Sequence, residues 1–482
     1  MERIIYLDCG PDIVRAAVTE DGELCEFHSE RVGNKSQTES LFYGRVEQIR
    51  PSVCAAFVNI GLEQNAFLSL KETREGGGGL RCGDFLIVQG AAKQPTDSKG
   101  LRVSGKINLA GKSLVLVPEG SGVHVSKKIK SEEERAALEE AGRAVCPPGC
   151  GLIVRTASRD VTQALIAEEA AELFERWQLC KRRAEGMVKP GVLLERLSLP
   201  SRMTRELGDS QLARVVVSSQ TCADALAQEQ KKGFLPVQTR IELFKEDKQL
   251  IFDAFRLEEE IARALKRRVW LPCGGYLVID PCEALTAIDV NSGKMTLGKD
   301  VEETAFRVNL EAAREVARQI RLRNIGGMIL VDFIDMQEAE HRHALTCAMR
   351  EAVRRDRAQV KVYGLTHMGL MEIARKRTDE ELRKRLRASC ASCMGTGEVV
   401  SCEEAARRAL YAVRRLALAG QRGPFVVRCA PGVASALAEW TAPQGASVYA
   451  APTAGRHVEK VDIDQIGADD APPKGAMPLA KG

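Results

Sequence analysis

Leu285-Thr-Ala-Ile-Asp-Val-Asn-Ser292 and Ile329-Leu-Val-Asp-Phe-Ile-Asp335 are two short apolar runs, and each carries an acidic side chain. In the first run Asp289 and Asn291 are two residues apart, so on a strand they point to the same face. In the second run Asp332 interrupts the apolar stretch. Carboxylates are rarely placed in buried strands unless they are paired or hold a metal. The pattern therefore predicts two strands that each carry a functional acid.

The two acids and the amide form a candidate site for a hard cation. Magnesium is bound through one or two protein carboxylates and keeps several waters for a phosphate-bearing substrate. The alternative is that both acids lie at strand ends and form only caps or salt bridges. Spacing alone leaves both interpretations open.

The residues between the two runs predict how the strands meet. Hydrophobic side chains at helical spacing predict an amphipathic helix that begins near Val301 and ends before Gly326. A helix of this kind returns the chain so that the second strand lies beside the first. Asp289 and Asp332 would then lie close enough to share one ion.

Four longer strings carry a resemblance to a known family. The strings EALTAIDVNSGK, EETAFRVNLEAAREVARQIRLRNIGG, MILVDFIDM and CASCMGTG resemble the ribonuclease E/G family, bacterial endoribonucleases that cut single-stranded RNA. The resemblance covers almost the whole chain. It is strongest between Leu271 and Val399 and weakest after about Ser401. A matched run of this length is far more specific than a short motif.

The resemblance implies a magnesium-dependent endoribonuclease acting in rRNA maturation and mRNA turnover. Asp289 and Asp332 would bind the ion, and Asn291 would orient the attacking water or the phosphate. Hydrolysis would leave a 5′-phosphate and a 3′-hydroxyl. The alternative is a non-catalytic RNA-binding protein that grips RNA with an OB-fold and basic helices. The presence of all three site residues argues against that alternative.

The resemblance also implies an α+β multidomain fold, in which an RNase H-like domain is interrupted by an OB-fold RNA-binding barrel and a 5′-sensor region. The expected divisions are an RNase H-like domain at 1–37 and 201–264, an S1-type OB-fold at 38–118, a sensor region at 119–200, a DNase I-like catalytic domain at 265–386, a zinc link at 387–400, a small C-terminal domain at 401–466 and a tail at 467–482. The Pro/Gly/Ala-rich composition of the tail predicts disorder.

Residues 38–118 alternate short strand-like runs with glycine-rich turns, which is typical of a small barrel. Phe57 and Phe67 are candidates to stack on unpaired bases, and Lys106 and Lys112 are candidates to bind phosphates. By patterning alone, a place in the barrel core is an equally good interpretation of both phenylalanines. The resemblance favours contact with RNA.

The string GLIVRTAS resembles the 5′-phosphate sensor of the family. Arg155 can make a forked contact with a phosphate and Thr156 can add a hydroxyl bond, while Gly122 and His124 complete the predicted set. Without the resemblance, Arg155 would be interpreted as an ordinary surface arginine. Two positions depart from the family pattern: His124 stands where small residues are expected, and Gln359 stands where a basic residue is frequent.

Cys390 and Cys393 have the spacing of zinc ligands, and glycines follow them. A structural zinc normally has four ligands, so one pair leaves half of the site to a second chain. Cys402 as a third ligand within one chain is the less favoured option. The resemblance implies a zinc shared across a homodimer, with dimer and tetramer both open. A redox pair is the rival interpretation, but such a pair usually follows a strand and opens a helix.

Composition sets the remaining expectations. The chain has 482 residues and a net charge of only +4, so no global field marks a nucleic-acid binder. Basic residues cluster at 263–268 and 375–387 instead, either as solvated helix faces or as phosphate-binding surfaces. No signal peptide and no transmembrane segment is predicted, so we expect a cytoplasmic protein with reduced cysteines. A long scaffold tail for partner enzymes is not expected, which favours the shorter ribonuclease G branch.

Overall fold

The computed structural model describes residues 2–32, 37–73, 79–91, 101–127, 129–293, 301–378, 380–421, 424–444, 446–467 and 470–481. The chain divides into two compact units, Met1–Arg385 and Leu386–Gly482. The first part of unit 1 contains, in chain order, the strands β1 (Arg3–Cys9), β2 (Ile13–Glu20), β3 (Glu23–Arg31), β4 (Leu41–Arg50), β5 (Ala55–Asn59), β6 (Ala66–Ser69), β7 (Phe85–Gly90), β8 (Arg102–Ser104), β9 (Leu109–Ala110), β10 (Leu114–Pro118), β11 (Val123–Val125), β12 (Cys150–Val154), β13 (Gly191–Leu194), β14 (Leu212–Val217) and β15 (Arg240–Leu243).

The later strands follow the same numbering. They are β16 (Arg268–Trp270), β17 (Tyr276–Pro281), β18 (Leu285–Asn291), β19 (Gly327–Asp332), β20 (Val360–Leu365), β21 (Leu370–Arg375), β22 (Pro424–Cys429), β23 (Thr441–Ala442), β24 (Ser447–Pro452), β25 (Asp462–Gln465), β26 (Met477–Pro478) and β27 (Ala480–Lys481).

The helices are α1 (Glu132–Val145), α2 (Gln163–Gly186), α3 (Leu199–Leu207), α4 (Gln220–Lys231), α5 (Ile251–Ala254), α6 (Leu257–Ala264), α7 (Val301–Leu322), α8 (Ala339–Ala352), α9 (Leu382–Leu386), α10 (Cys402–Leu418) and α11 (Pro431–Ala438). Within the described residues, no helix is long and apolar enough to span a membrane.

The first sheet has the strand order β15–β14–β1–β2–β3. Strands β1, β14 and β15 are parallel, whereas β1, β2 and β3 form an antiparallel meander. Alternate residues of β1 bury opposite faces: Ile5 and Leu7 join one hydrophobic cluster, and Ile4 and Tyr6 join another. The chain leaves this sheet after β3 and returns to it at β14.

A five-stranded barrel lies in the intervening segment. Its strands follow the order β4–β5–β6–β8–β7, and β7 pairs back with β4 to close it. Only the β6–β8 pair is parallel. The core is filled by inward residues such as Phe42, Val58 and Leu68. This OB-like barrel confirms the predicted one, and the multiple sheets agree with the predicted mixed α and β architecture.

The next sheet has the order β11–β12–β10–β9, and α2 packs on it through the fully buried Trp177. The chain enters this sheet at β9, ahead of the expected boundary at residue 118. Strand β13 then returns to pair with β4 of the barrel. Lys112, which was predicted within the barrel, therefore lies in the turn between β9 and β10 of this second sheet.

The third sheet of unit 1 has the order β16–β17–β18–β19–β21–β20. Strands β18 and β19 are parallel because α7 connects them, and the other neighbours are antiparallel. One face packs on α7 and α8 in a hydrophobic cluster that includes Ile288, Val331, Val316 and Leu345. Within the described residues, the side chains on the opposite face of β18 and β19 are exposed or partly exposed, and this is called the open face below.

A buried ion-pair network joins α7 to the first sheet. Arg321 lies 3.0 Å from Glu20 on β2 and 2.7 Å from Glu26 on β3, and all three side chains are at most 6% exposed. Arg3 of β1 pairs with Glu20, and Arg357 pairs with Glu26. Burial opposes the charge of Glu26, but Arg357 and Arg321 outweigh it and hold the pKa of that carboxyl well below its usual value.

Unit 2 contains a four-stranded sheet of order β25–β22–β24–β26, on which α10 and α11 pack. The predicted disorder from residue 467 is wrong for residues 477–481. Met477 and Pro478 pair with β24, Ala480 pairs with β23, and Leu479 is buried between them. Tertiary pairing overrides the unpatterned composition, because these residues complete a sheet whose other strands lie earlier in the chain.

We expect Arg321→Gln to lower the free energy of unfolding by about 3–5 kcal/mol, because it leaves Glu20 and Glu26 buried without their shared cation. Chemical denaturation measures the change. Arg354→Gln is the matched control, since Arg354 pairs with Glu351 at 2.8 Å but its side chain is 75% exposed. The control should unfold like the parent. An equal loss in the two variants would show that burial of the network is not what stabilises it.

Candidate active site

The two predicted acids are direct neighbours in the third sheet. Asp289 of β18 and Asp332 of β19 are register partners across the parallel pair, where strands lie about 5 Å apart. Both side chains are on the open face, because the residues before them, Ile288 and Val331, are buried against the helices. The structure therefore brings the acids together on an exposed sheet face, and not in buried strands as the apolar runs suggested.

Asn291 adds an amide to the pair. Its Nδ2 donates a hydrogen bond of 2.7 Å to Oδ2 of Asp289, which orients that carboxylate. Burial raises the pKa of Asp332, and the nearby carboxylates of Asp289 and Asp335 raise it further. Asp335 was not among the predicted site residues, although its place three residues after Asp332 was visible in the sequence. The site thus gathers three acids and one amide.

A buried asparagine holds the segment between two of these acids. Asn309 of α7 is fully buried, its Nδ2 donates to the carbonyl of Ile334 at 2.7 Å, and its Oδ1 accepts from the Ile334 amide at 3.0 Å. These two bonds fix the backbone that connects Asp332 to Asp335. The only signal for Asn309 in the sequence was a polar residue on the apolar face of an amphipathic helix.

The donor set suits a hard cation. Carboxylate and amide oxygens are the protein ligands that magnesium takes, and one or two carboxylates are enough when water and a phosphate complete its shell. Among the described residues, no group of three or more His, Cys, Asp or Glu side chains is arranged to hold a metal ion. The candidate ligands are therefore the pair Asp289 and Asp332 with the amide of Asn291.

Phe57 and Phe67 lie outside the barrel core. They are register partners on β5 and β6, their rings pack edge to face with centroids 6.1 Å apart, and both are partly exposed. The guanidinium carbon of Arg50 lies 5.5 Å from the Phe57 ring centroid. The core on the other side of these strands is formed by Ala56 and Leu68. The rings are therefore available to a ligand.

The structure separates the two predicted phosphate-binding lysines. Lys106 is exposed just after β8, at the end of the barrel. Lys112 donates from Nζ to the carbonyl of Gly233 at 3.3 Å, and it lines a cavity together with Arg155 and Thr156. Lys112 therefore belongs with the predicted sensor residues rather than with the barrel.

This cavity has a volume of about 470 Å³ and is rich in basic side chains. Arg155 donates from Nη1 to the carbonyl of Gly111 at 2.6 Å, which places its guanidinium at the cavity wall. The other basic residues that line it are Arg196, Arg202, Arg205, Arg321, Arg357, Arg375, Lys376, Arg377 and Arg385. Acidic side chains also line the cavity, and they pair with several of these arginines: Arg357 with Glu26 and Glu206, and Arg375 with Asp356. Arg155 has no carboxylate partner among the described residues, so its charge is available to an anion.

Gly122 and His124 lie away from this cavity. The carbonyl of Gly122 accepts from the amide of Leu152, three residues before Arg155, so the two positions are about 10 Å apart along β12. His124 is exposed on β11, where it pairs with Ile153. Neither residue is among the described residues that line the cavity.

Cys390 and Cys393 lie in a turn of unit 2. The backbone amides of Cys393 and Ser392 and the Cys393 thiol lower the pKa of Cys390, which favours the thiolate that binds metal. The Cys402 sulfur packs against Gly432, where an added Cβ would approach it to 2.8 Å. The part of the chain that the structure describes therefore brings two thiols together at this turn and no third ligand.

Comparisons with known proteins agree with this geometry. The model of the ribonuclease E/G family matches residues 108–378, which include the acids, the amide and the sensor residues. Ribonuclease G of Escherichia coli strain K12 is 34% identical over 450 residues, 90% of this chain and 92% of the relative. The chain belongs to the ribonuclease E/G family. The predicted family is thus confirmed.

Two further relatives locate the chain within the family. Ribonuclease G of Haemophilus influenzae is 33% identical over 453 residues, which cover 90% of this chain and 91% of the relative. Ribonuclease E of Synechocystis is 36% identical over 376 residues, which cover 76% of this chain but only 56% of the relative. Similarity over more than nine-tenths of each ribonuclease G relative places the chain in that branch.

We expect Asn309→Leu to lower RNA cleavage by about 100-fold, because the freed Ile334 backbone displaces Asp332 and Asp335. The half-saturating magnesium concentration should rise. Gln319→Leu is the matched control: Gln319 is also a buried amide of α7, 2% exposed, and among the described residues its side chain bonds to Glu315 and Arg323, away from the acids. Both variants should lose stability, but only Asn309→Leu should alter the magnesium titration. Equal titrations would remove Asn309 from the site.

Proposed function

We propose that the chain is a magnesium-dependent endoribonuclease that hydrolyses single-stranded RNA. Its membership of the ribonuclease E/G family makes it an endoribonuclease, a hydrolase that acts on RNA. The observation that supports the finer proposal is the pairing of Asp289 with Asp332 beside Asn291. These residues lie on an open sheet face, which an RNA strand can reach without a free end.

The proposed mechanism divides the work among these side chains. Asp289 and Asp332 would hold the magnesium ion, which supplies an activated water and stabilises charge on the scissile phosphate. Asn291 fixes the Asp289 carboxylate through Nδ2 and leaves its own oxygen to accept from the attacking water. Asn309, on α7, holds the Ile334 backbone and so fixes the segment that follows Asp332. Attack by water breaks the bond to the 3′ oxygen and leaves 5′-phosphate and 3′-hydroxyl products.

We propose that RNA binding is shared with the barrel. Phe57 and Phe67 offer partly exposed rings on one barrel face, and aromatic side chains stack on unpaired bases of any sequence. Arg50 and the exposed Lys106 supply positive charge for the backbone. Because the barrel would bind RNA independently of the acids, binding should continue when Asp289 or Asp332 is replaced by a neutral residue.

We propose that the basic cavity receives the 5′-monophosphate of an RNA. Arg155 and Thr156 would hold it by charge-assisted bonds, with Lys112 as an additional cation at the same cavity. The positions of Gly122 and His124 offer no support for a direct part in this site. The roles of the chain in rRNA maturation and mRNA turnover, in a reducing cytoplasm that suits its 15 free cysteines, belong to the same proposal.

The domain assignments and the zinc link are also proposed. We assign the first sheet to an RNase H-like domain, because its strand order is three antiparallel strands extended by two parallel ones. The six-stranded sheet is the DNase I-like domain. Cys390 and Cys393 supply half of a tetrahedral site, so we propose that two chains share one zinc ion as a homodimer.

Asp289→Asn and Asp332→Asn should each abolish magnesium-dependent cleavage of end-labelled RNA, while the dissociation constant for RNA stays near the parental value. Each change removes one of few charged ligands, whereas binding is spread over the barrel. Asp280→Asn is the control, because Asp280 lies on the neighbouring strand and pairs with Arg267. Cleavage by either site variant at the parental rate would exclude the site. Binding without cleavage by the parent would favour the non-catalytic alternative.

Cys390→Ser combined with Cys393→Ser should remove bound zinc and lower the mass measured by light scattering. Elemental analysis of the parent should find about one zinc per two chains, since one pair supplies two of four ligands. Cys402→Ser, in which the thiol against Gly432 is lost, should keep both zinc and mass. A ratio of one zinc per chain, or a double variant of parental mass, would contradict the shared link.

A further inference from the structure

Two aromatic side chains and an arginine form a cluster at the edge of the third sheet. Trp270 and Tyr276 are register partners on β16 and β17, and their ring centroids are 5.2 Å apart. The guanidinium carbon of Arg268 lies 4.5 Å from the Tyr276 centroid and 5.8 Å from the Trp270 centroid. Trp270 is nevertheless 59% exposed. The cluster is ordered by its own contacts and still presents an open ring surface.

This cluster shares the open face with the acids. Tyr276 is the register partner of Asn291, and Val278 is the partner of Asp289. Paired residues on neighbouring antiparallel strands point to the same face, so Trp270, Tyr276 and Asn291 form one line across three strands. At about 5 Å per strand, Tyr276 lies one strand and Trp270 two strands from Asn291. The rings are within reach of nucleotides that flank a phosphate at the acid pair.

Strand pairing alone does not account for this arrangement. A cross-strand aromatic pair stabilises a sheet edge, but that role requires neither an indole that is 59% exposed nor a guanidinium above the rings. The neighbouring Arg267 is held by both oxygens of Asp280. Arg268 has no carboxylate partner among the described residues, so its charge remains available above the rings. An exposed indole beside a guanidinium that has no described carboxylate partner suits a base with its phosphate.

We infer that Trp270 and Tyr276 form a stacking subsite for an unpaired base within about two nucleotides of the scissile phosphate. Arg268 orders the rings and contacts the adjoining phosphate. The inference rests on the proposed function, because it places the base relative to the bond that Asp289 and Asp332 would act on. Stacking on a ring tolerates every base but requires that the base has left a duplex. The subsite therefore selects single-stranded RNA at the reacting bond itself.

The test is an abasic scan of a single-stranded RNA oligonucleotide, with one base removed at successive positions on both sides of the cleaved bond. For the parent, kcat/KM should fall about 5- to 150-fold when the missing base is the stacked one. Trp270→Ala should cleave the intact RNA more slowly by a similar factor, and the penalty at that position should vanish. Trp270→Phe keeps a ring and should keep the penalty.

Tyr411→Ala is the matched control. Tyr411 is 52% exposed and carries the Arg407 guanidinium carbon 5.1 Å from its ring centroid, but it lies on α10 in unit 2. Its loss should leave the scan unchanged. If Trp270→Ala melts like the parent and keeps every penalty, the stacking subsite is wrong, while cleavage by the parent still supports the proposed function.

A second measurement distinguishes failure of the stacking subsite from failure of the proposed function. In the Asp332→Asn protein, binding of uncleaved RNA should quench the fluorescence of Trp270, with Asp332→Asn plus Trp270→Phe as the reference. The reference keeps the other two tryptophans, the fully buried Trp177 and the partly buried Trp440 of unit 2, so the difference between the two proteins reports Trp270 alone. If the parent never cleaves, the proposed function fails and quenching still reports on stacking. If no quenching accompanies binding, the subsite is overturned.

Discussion

The buried pairing of Arg321 with Glu20 and Glu26 is the constraint on which the position of the acid pair depends. Arg321 lies at the end of α7, and the same helix carries Asn309, which holds the backbone after Asp332. Because charged groups lose their hydration on burial, each needs its partners at short distance. A displaced α7 would separate those charges. The first sheet therefore sets the register of α7, and α7 sets the position of β19 and its acid.

Apolar packing alone would specify this contact less sharply. The apolar contact of α7 with the first-sheet cluster, made by Leu322, is non-directional, whereas the guanidinium bonds of Arg321 have fixed directions. The same network makes the free energy of unfolding depend on pH. The pKa of the Glu26 carboxyl in the folded protein is well below its usual value of 4.5. The ion pairs of Glu26 therefore contribute fully to stability above pH 4.5. This stabilisation is lost as the pH falls from 4.5 toward the folded-state pKa of Glu26, because protonation of Glu26 removes a charged partner of Arg321.

Local pattern and family resemblance predicted the parts of the structure that depend on short segments. The strand–helix–strand order around Asp289 and Asp332 was visible because period and composition change at each boundary. The place of Gly122 could not be seen in the sequence. It depends on the pairing of β11 with β12, in a register that puts Gly122 beside Leu152. The place of Lys112 outside the barrel and the strand at Met477 were missed for the same reason, since both are set by contacts with distant segments. Periodicity reports which face of an element is buried but not which element it meets.

The proposed active site on a sheet face has consequences for selectivity. In the proposed mechanism the acids and Asn291 act on the reacting phosphate, which every RNA linkage offers, so discrimination would come from groups beside them. A deep cleft would exclude duplexes by width, but the open face of the third sheet cannot. Selection for unpaired RNA then requires surfaces that bind a base only after it has left its stack, and exposed rings such as Phe57, Phe67 and Trp270 have that property. Under the proposed mechanism, the exposed aromatic side chains, rather than the acids, would determine which RNA reaches the proposed metal site.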